Sequence, residues 1–140
     1  MPANIRPPRH AASVLSAGTR PDTRTIGRAG EDAAVAALRA RGYRILDRNV
    51  QYRRGELDVV AEDRGTIVFV EVKSRRTAAY GTPAEAAGGR KRRRLLTAAQ
   101  VYLARRRLSG RPCRFDVAEV RMSPGGQVLR VEILCDAFQA

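Results

Sequence analysis

The stretch from Gly55 to Arg75, which reads GELDVVAEDRGTIVFVEVKSR, constrains the fold more than any other part of the chain. Its first half alternates acidic with apolar residues, and its second half is rich in Val, Ile and Phe before Glu71 and Lys73. Side chains on a strand repeat every two residues, so each alternating set shares one face. With Arg64-Gly65 between the two halves, this pattern predicts a β-hairpin.

Two registers of this hairpin are compatible with the sequence, and both bring its acids together. A two-residue turn at Arg64-Gly65 places Asp58 opposite Glu71. A four-residue loop instead places Glu56 opposite Glu71, with Asp58 on the diagonal. Directly opposed Cβ atoms lie about 4.5–5.5 Å apart and diagonal ones about 7–8 Å. Either register gathers carboxylates on one face of the hairpin.

Carboxylates that face each other across a strand pair lower the stability of the fold, and two kinds of structure would remove this loss of stability. Like charges facing each other across a ladder destabilise it, and a carboxylate inside an apolar strand costs more. Mg²⁺ takes oxygen ligands from one or two carboxylates together with water and substrate phosphate. The alternative is an ordinary structural salt bridge, for example between Glu56 and Lys73. The hairpin residues alone favour neither interpretation.

Lysine is rare in this strongly basic chain. The chain has 27 Lys and Arg residues, of which only Lys73 and Lys91 are lysines, and Lys73 follows Glu71 by two positions. The compact lysine ammonium has a movable pKa, which the arginine guanidinium does not. This placement adds modest weight to a chemical role for Lys73.

The composition points to a polyanionic partner. A length of 140 residues suits a single domain, and a formal net charge of +13 indicates nucleic acid. An anionic membrane surface is the alternative, but no apolar run approaches the roughly 20 residues that span a bilayer. Cys113 and Cys135 are too few for a disulfide framework and lack metal-site spacing. These features, with no secretory signal at the start, predict a reduced, cytoplasmic location.

The chain order predicts one folded domain after a basic tail. Residues 1–25 carry four prolines and scattered arginines, which predicts a flexible tail, and residues 26–140 form the domain. The first predicted elements are a helix from about Gly27 to Arg41, closed by Gly42, and a strand from Tyr43 to Val50 with a bulge or turn at 47–49. The hairpin comes next, followed by a short helical turn at 83–87 and a helix from Arg90 to about Leu108. Two further strands begin near Cys113 and Leu129. The order α-β-β-β-α-β-β predicts an α/β or α+β protein with a mixed sheet.

The first helix presents two adjacent acids on different faces. Helical spacing turns Glu31 toward the core face with Val35 and Leu38, and Asp32 toward the polar side. A glutamate near the start of a helix also suits the helix dipole, which is the structural explanation for Glu31.

The second long helix opens with five consecutive basic residues. A run of like charges is usually a solvated face, but beside a candidate acidic pocket it suits phosphate binding better. The candidate nucleic-acid-binding residues are Arg75, Arg90, Lys91, Arg92, Arg93 and Arg94.

The combination of Glu31 in a helix, Asp58 in a strand and Glu71-x-Lys73 in its partner strand resembles the PD-(D/E)xK nuclease superfamily. The chain is more closely similar to the YraN-like family of small bacterial proteins, which are regarded as distant relatives of archaeal Holliday-junction resolvases. Five segments carry this resemblance in order: GRAGE (27–31), GELDVVA (55–61), FVEVKSR (69–75), YGTPAEA (80–86) and RFDVAEV (114–120).

The resemblance implies an α/β, restriction-endonuclease-like sheet flanked by helices, over residues 26–140. It also implies Mg²⁺ or Mn²⁺ as cofactor and nucleic acid as partner, with DNA favoured over RNA. By position, Asp58 and Glu71 would be the main metal ligands and Glu31 an additional one. Asp58 and Glu71 would act in catalysis together with Lys73, the catalytic lysine.

Two features depart from the superfamily pattern. Gln100 is followed four residues later by Ala104, so the QxxxY element of some relatives is missing. Glu56 is an acid that the minimal pattern does not require, and it is a further candidate either for binding metal or for pairing with Lys73.

The expected function is that of a metal-dependent endonuclease that hydrolyses phosphodiester bonds. Structured or branched DNA as substrate, and a homodimer matching the two-fold symmetry of a junction, follow from the resemblance alone. The alternative is a non-catalytic nucleic-acid-binding or DNA-repair accessory module that keeps the acids for structure.

Overall fold

A five-stranded mixed sheet with a helix on each face carries the fold. The computed structural model describes residues 23–76 and 89–138. Its elements are α1 (Thr23–Ala40), β1 (Arg44–Tyr52), β2 (Gly55–Asp63), β3 (Thr66–Arg75), α2 (Gly89–Arg105), β4 (Cys113–Met122) and β5 (Val128–Phe138). The strands are ordered β1-β2-β3-β4-β5; β3 and β4 run parallel, and the other neighbouring pairs are antiparallel. The predicted α/β arrangement and the order α-β-β-β-α-β-β are confirmed.

Two apolar clusters hold the helices against opposite faces of the sheet. Helix α1 buries Ala34, Val35 and Leu38 against side chains of the central strands, which include Val59, Val68, Val70 and Val120. Helix α2 buries Leu95, Ala98, Ala99 and Tyr102 against a second set, which includes Val60, Phe69, Phe115 and Val117. Apolar residues on both faces of β2, β3 and β4 are expected for strands that are covered on both sides.

The bounds of α1 differ from the prediction at its start and agree closely at its end. The helix begins at Thr23 rather than Gly27, so residues 23–25, which were assigned to the tail, are helical. Polar residues in a first turn do not prevent a helix when later turns bury an apolar stripe. The chain leaves the helix at Gly42 with a φ of 92°, as a glycine in the left-handed region allows.

Helix α2 ends three residues before its predicted bound. It stops at Arg105, and Arg107 adopts a φ of 57°. The N–H of Leu108 then donates to the carbonyl of Leu103 at 2.8 Å, which closes the helix end. The helical turn predicted at 83–87 lies outside the described residues.

The β2–β3 hairpin adopts the register with a two-residue turn. Asp63 pairs with Thr66, and the ladder continues to Val59 and Val70. Arg64 and Gly65 have φ values of 52° and 90°, which is the type I′ geometry that suits tight hairpins. The four-residue loop is wrong because Arg64 itself takes up the left-handed conformation.

The backbone pairing between the two strands of the hairpin ends at Asp58. Beyond the Val59–Val70 pair, the N–H of Val72 donates to Oδ2 of Asp58 at 2.9 Å. Leu57 is buried in the cluster that contains Val60, whereas Val59 belongs to the cluster on the other face. Strict alternation therefore fails at Asp58, and this residue lies where the hairpin opens.

Strand β1 contains the irregularity that the sequence indicated, one residue earlier than predicted. Its register with β2 shifts between Ile45 and Asp47, and Asn49 has a φ of 51°. Such bulges bend a strand and redirect side chains. The consequence for the site is that Arg48 and Asn49 both reach toward α1.

Candidate functional site

Asp58 is the central residue of the site because its carboxylate is partly desolvated at the point where the hairpin opens. The pKa of Asp58 is raised to about 6, mainly by burial and in addition by repulsion from the carboxylates of Glu71, Glu56 and Glu31. The hydrogen bond from the Val72 N–H acts in the opposite direction. All four predicted acids are therefore close enough to interact through their charges.

Glu71 and Lys73 follow Phe69 along β3 at the two-residue spacing of a strand, so they extend from the face that α2 covers. The Glu71 side chain is 3% exposed and that of Lys73 is 19% exposed. Lys73 Nζ lies 3.2 Å from Glu71 Oε1. The alternative interpretation named Glu56 as the lysine's partner; among the described residues, the structure shows an ion pair of Lys73 with Glu71.

A small cavity on the α2 side brings three of the predicted acids together. Its volume is about 110 Å³, and Glu56, Asp58, Glu71, Arg94 and Leu95 line it. We call it the α2-side cavity. Its lining combines carboxylates from the hairpin with an arginine from the basic run of α2, so candidate metal ligands and a candidate phosphate ligand share one space.

Glu31 approaches Asp58 from the opposite face of the sheet. Its side chain is 13% exposed, against 60% for Asp32, as the helical pattern predicted. Oε1 of Glu31 accepts hydrogen bonds from Arg48 Nε at 3.2 Å and from Asn49 Nδ2 at 2.8 Å. Glu31 is thus held by the bulged part of β1, and the sheet separates it from Glu56 and Glu71.

A larger cavity lies on the α1 side, and Asp58 contributes to both cavities. Its volume is about 870 Å³. Its lining is polar and comes from α1, β1, β2 and β3: Arg24, Gly27, Arg28, Glu31, Asp32, Arg48, Asn49, Gln51, Asp58, Val72 and Ser74. The opening of the hairpin therefore makes Asp58 accessible from both faces.

Two glycines allow the helices to pack closely beside this opening. A Cβ on Gly55 would lie 2.6 Å from the Arg94 carbonyl oxygen, and a Cβ on Gly30 would lie 2.0 Å from Ser74 Oγ. Real Cβ atoms do not approach other atoms so closely. Gly55 thus brings Arg94 next to the acids, and Gly30 brings α1 against β3.

The other predicted nucleic-acid ligands lie at the start of α2 and the end of β3. Arg93 and Arg94 are exposed, while Arg92 and Arg75 are half-buried. Arg90 and Lys91 belong to α2, but their side chains lie outside what the structure describes. Of the described side chains in this group, the structure places only that of Arg94 at the acidic cavity.

The donor chemistry of the α2-side cavity fits a hard divalent cation. Asp58 and Glu71 supply carboxylate oxygens, and Mg²⁺ requires only one or two of these besides water and phosphate. In the part of the chain that the structure describes, no three His, Cys, Asp or Glu side chains already surround one point. A cation at Glu71 would also compete with the Lys73 ammonium for that carboxylate.

Sequence reasoning gave no role to Glu119, which lies beside this site. Glu119 lies directly opposite Lys73 in the parallel β3–β4 ladder and is 4% exposed. Its carboxylate forms an ion pair with Arg121 at 2.9 Å. The signal in the sequence was the alternation Phe115, Val117, Glu119, which puts a carboxylate where an apolar residue is expected.

Among the described residues, the remaining buried carboxylate, that of Asp116, belongs to a network on the opposite face of the sheet. Asp116 is fully buried and accepts hydrogen bonds from Arg114 Nε at 3.0 Å, Tyr43 Oη at 3.2 Å and the Asp136 N–H at 2.8 Å. Arg114 also reaches Asp63 at 3.0 Å. This network joins β4 to the hairpin end and to β5, which gives the first part of RFDVAEV a structural role.

None of the described helices is both long enough and apolar enough to span a bilayer.

Comparison with known proteins places the chain in a bacterial family. The family described as "Uncharacterised protein family UPF0102" matches residues 30–120. The UPF0102 protein of Symbiobacterium thermophilum is 52% identical over 118 residues, which cover 84% of this chain and 99% of that protein. The UPF0102 protein of Syntrophotalea carbinolica is 52% identical over 114 residues, covering 81% and 91%. A UPF0102 protein of Pseudomonas aeruginosa is 44% identical over 122 residues, covering 86% and 98%. The chain therefore belongs to the UPF0102 family, the YraN-like proteins that its motifs resemble.

Proposed function

We propose that this protein is a metal-dependent endonuclease that hydrolyses phosphodiester bonds in nucleic acid, with DNA favoured over RNA. The observation that carries the proposal is the meeting of Asp58, Glu71 and Lys73 where β2 and β3 separate, beside the basic start of α2. A carboxylate with a raised pKa, as at Asp58, beside another carboxylate and a lysine in a cleft is typical of functional sites. The resemblance to PD-(D/E)xK nucleases assigns the same residues.

Asp58 and Glu71 would hold Mg²⁺ or Mn²⁺, with Glu56 as a further oxygen donor in the same cavity. A bound cation would supply positive charge to the phosphoryl oxygens and activate a water for attack. Glu31, fixed by Arg48 and Asn49, adds negative charge from the α1 side that favours a cation at Asp58.

Lys73 would stabilise the charge that builds on the phosphate during hydrolysis. Its ammonium lies against Glu71, and an adjacent carboxylate favours the charged form of lysine. This argues for electrostatic positioning of the phosphate or the attacking water rather than for proton abstraction by Lys73.

Arg94 and the other basic residues at the start of α2 would bind the phosphate backbone. Such contacts position the substrate and make binding strongly dependent on salt, but they carry little sequence information. Branched DNA and a homodimer are suggested by the family resemblance, so the substrate test must include branched forms.

The test is cleavage of a labelled panel of duplex, single-stranded, flap and four-way-junction DNA with Mg²⁺, Mn²⁺ or EDTA. Wild type, Lys73→Ala and Asp58→Asn are purified identically, which controls for contaminating nuclease. We expect metal-dependent cutting by wild type that both variants lose, while both still bind the substrate. Equal cutting by wild type and Lys73→Ala would refute the assignment.

A non-catalytic nucleic-acid-binding or repair-accessory module is the second candidate, and the Lys73–Glu71 ion pair favours it. That pair neutralises the Glu71 carboxylate without any metal, as a purely structural cluster would. This candidate predicts binding that is unaffected by Mg²⁺ or by loss of the acids. A Mg²⁺-dependent rise in Tm that disappears in Asp58→Asn would count against it.

A further inference from the structure

Glu119 and Lys73 lie side by side in adjacent strands. They are direct partners in the parallel β3–β4 ladder, and neighbouring strands are about 4.8 Å apart. Glu119 follows Phe115 and Val117 at two-residue spacing, and both of those side chains lie in the α2-side cluster. Its carboxylate therefore extends from the same face of the sheet as Glu71 and Lys73.

The burial of Glu119 requires a positively charged neighbour. The residue is 4% exposed, and an uncompensated carboxylate at such a position would be strongly destabilising. Arg121 Nη2 lies 2.9 Å from Glu119 Oε1. Among the residues that the structure describes, however, none donates an aligned hydrogen bond to that oxygen. Glu119 thus retains acceptor capacity toward a second cation.

A metal ion at Glu71 would compete with the Lys73 ammonium for the Glu71 carboxylate. The ammonium lies 3.2 Å from Oε1 of Glu71, which is one of the oxygens that a cation would take. A second carboxylate beside Lys73 would keep the ammonium on its flexible side chain close to the site. The neighbouring carboxylate on β4 is that of Glu119.

We propose that Glu119 is a positioning residue that keeps the Lys73 ammonium at the site when Glu71 turns to a divalent cation. The proposal rests on the proposed function for its role in turnover. The adjacency of Glu119 and Lys73 in the ladder is a property of the fold, and the coupling of their charges can be tested without cleavage.

The first test is a pair of double-mutant cycles in thermal unfolding, carried out in EDTA and again at saturating Mg²⁺. One cycle combines Glu119→Gln with Lys73→Met, and the other combines it with Arg121→Met. At saturating Mg²⁺ we expect the Tm loss caused by Glu119→Gln to shrink by at least half in the Lys73→Met background, and in EDTA, where Lys73 lies against Glu71, we expect it to shrink less. An unchanged loss in the Lys73→Met background at saturating Mg²⁺, with the loss abolished in the Arg121→Met background, would show that Glu119 serves Arg121 alone and would overturn the proposal. Should Glu119→Gln not fold, Glu119→Asp replaces it in both cycles, because it withdraws the charge by one methylene.

The second test separates positioning from general stability by steady-state kinetics at saturating Mg²⁺. We expect Glu119→Gln to lower kcat by about 10- to 100-fold with little change in KM, as displacement of a reacting group does. Arg121→Met should keep kcat, and Glu119→Gln should have no further effect on kcat in a Lys73→Met background. Equal kcat losses from Glu119→Gln and Arg121→Met would overturn the positioning role.

The two tests fail independently. If the protein cleaves nothing, the proposed function is wrong while the unfolding cycles still report whether Glu119 and Lys73 are coupled. If the protein cleaves but the cycles show no coupling, only the positioning role is wrong.

Discussion

The Asp58 carboxylate accepts the backbone N–H of Val72 at 2.9 Å, so a side chain of β2 takes up a donor of β3 beyond the last paired residues of the two strands. This bond fixes the carboxylate at the opening of the hairpin. It also leaves Asp58 among other acids with part of its hydration removed, and the pH dependence of stability should reveal that cost.

Asp58→Asn should relieve a pH-dependent loss of stability. The pKa of Asp58 is raised from 3.8 to about 6, first by burial and then by Glu71, Glu56 and Glu31. Between these values the folded protein holds a proton that the unfolded chain has released, so wild-type stability falls as pH rises through this window. The amide retains an oxygen for the Val72 N–H. We expect the variant's advantage in free energy of unfolding to grow from pH 4 to 6 by on the order of 2 kcal/mol and then level off.

Urea unfolding of wild type and Asp58→Asn in EDTA at several pH values measures this difference in free energy of unfolding. Ionisable groups that titrate in the same way in both proteins contribute equally to both free energies and so cancel in the difference. A difference that does not change with pH would contradict the desolvation of Asp58.

Gly55→Ala should push α2 away from the acids, because the new Cβ would meet the Arg94 carbonyl oxygen at 2.6 Å. Overpacking against backbone costs about 1–3 kcal/mol. The matched change Gly27→Ala lies in α1 with no other atom within 4 Å of its Cβ, and it should stabilise the helix by up to about 1 kcal/mol. Chemical denaturation of the two variants gives the comparison. Equal effects would show that α2 does not pack on Gly55 as described.

Arg94→Ala should weaken nucleic-acid binding and reduce its dependence on salt. Arg94 lines the α2-side cavity, where a phosphate contact would release about one counterion. We expect the slope of log Kd against log salt concentration to fall by about 1. Arg39→Ala, an exposed arginine in the last turn of α1, is the control. Fluorescence anisotropy across a salt series measures both slopes, and indistinguishable slopes would remove Arg94 from the interface.

Arg114→Met should destabilise the protein without altering the site chemistry. The change would leave Asp116 fully buried without its guanidinium partner, and breaking a buried ion pair costs about 3–5 kcal/mol. The control Arg44→Met breaks a pair with Glu62 at a largely exposed arginine, for which about 1 kcal/mol or less is expected. Thermal unfolding distinguishes the two. Similar losses in both variants would mean that the Asp116 network contributes no more than a surface pair.

The sequence predicted the parts of the site that depend on local spacing. Alternation in β2 and β3 identified the hairpin and its acids, and the helical repeat placed Glu31 on the inner side of α1. It left the register open because the choice depended on whether Arg64 adopts a positive φ, which is uncommon for a residue with a Cβ. The partner of Lys73 also stayed open, since both Glu56 and Glu71 lie within reach of a flexible ammonium.

Glu119 escaped prediction for a different reason. Its neighbour Lys73 is distant along the chain, and only the parallel pairing of β3 with β4 makes the two adjacent. Periodicity within one strand identifies which residues share a face, but it does not tell which strand lies next to it. The separation of Glu31 from Glu56 and Glu71 by the sheet likewise follows from helix packing rather than from any motif.

The parallel pairing of β3 and β4 also determines the order in which the parts of the site come together during folding. The hairpin that joins Asp58 to Glu71 closes over a two-residue turn, whereas β4 reaches β3 only after a long crossover that contains α2. Loop closure of that length slows folding. The hairpin acids and Lys73 should therefore meet before Glu119 and Arg94 arrive, so at first Lys73 alone offsets the charge repulsion among the hairpin acids. Pulse-labelled hydrogen exchange during refolding would show β2 and β3 amides protected before those of β4, and simultaneous protection would exclude this sequence of events.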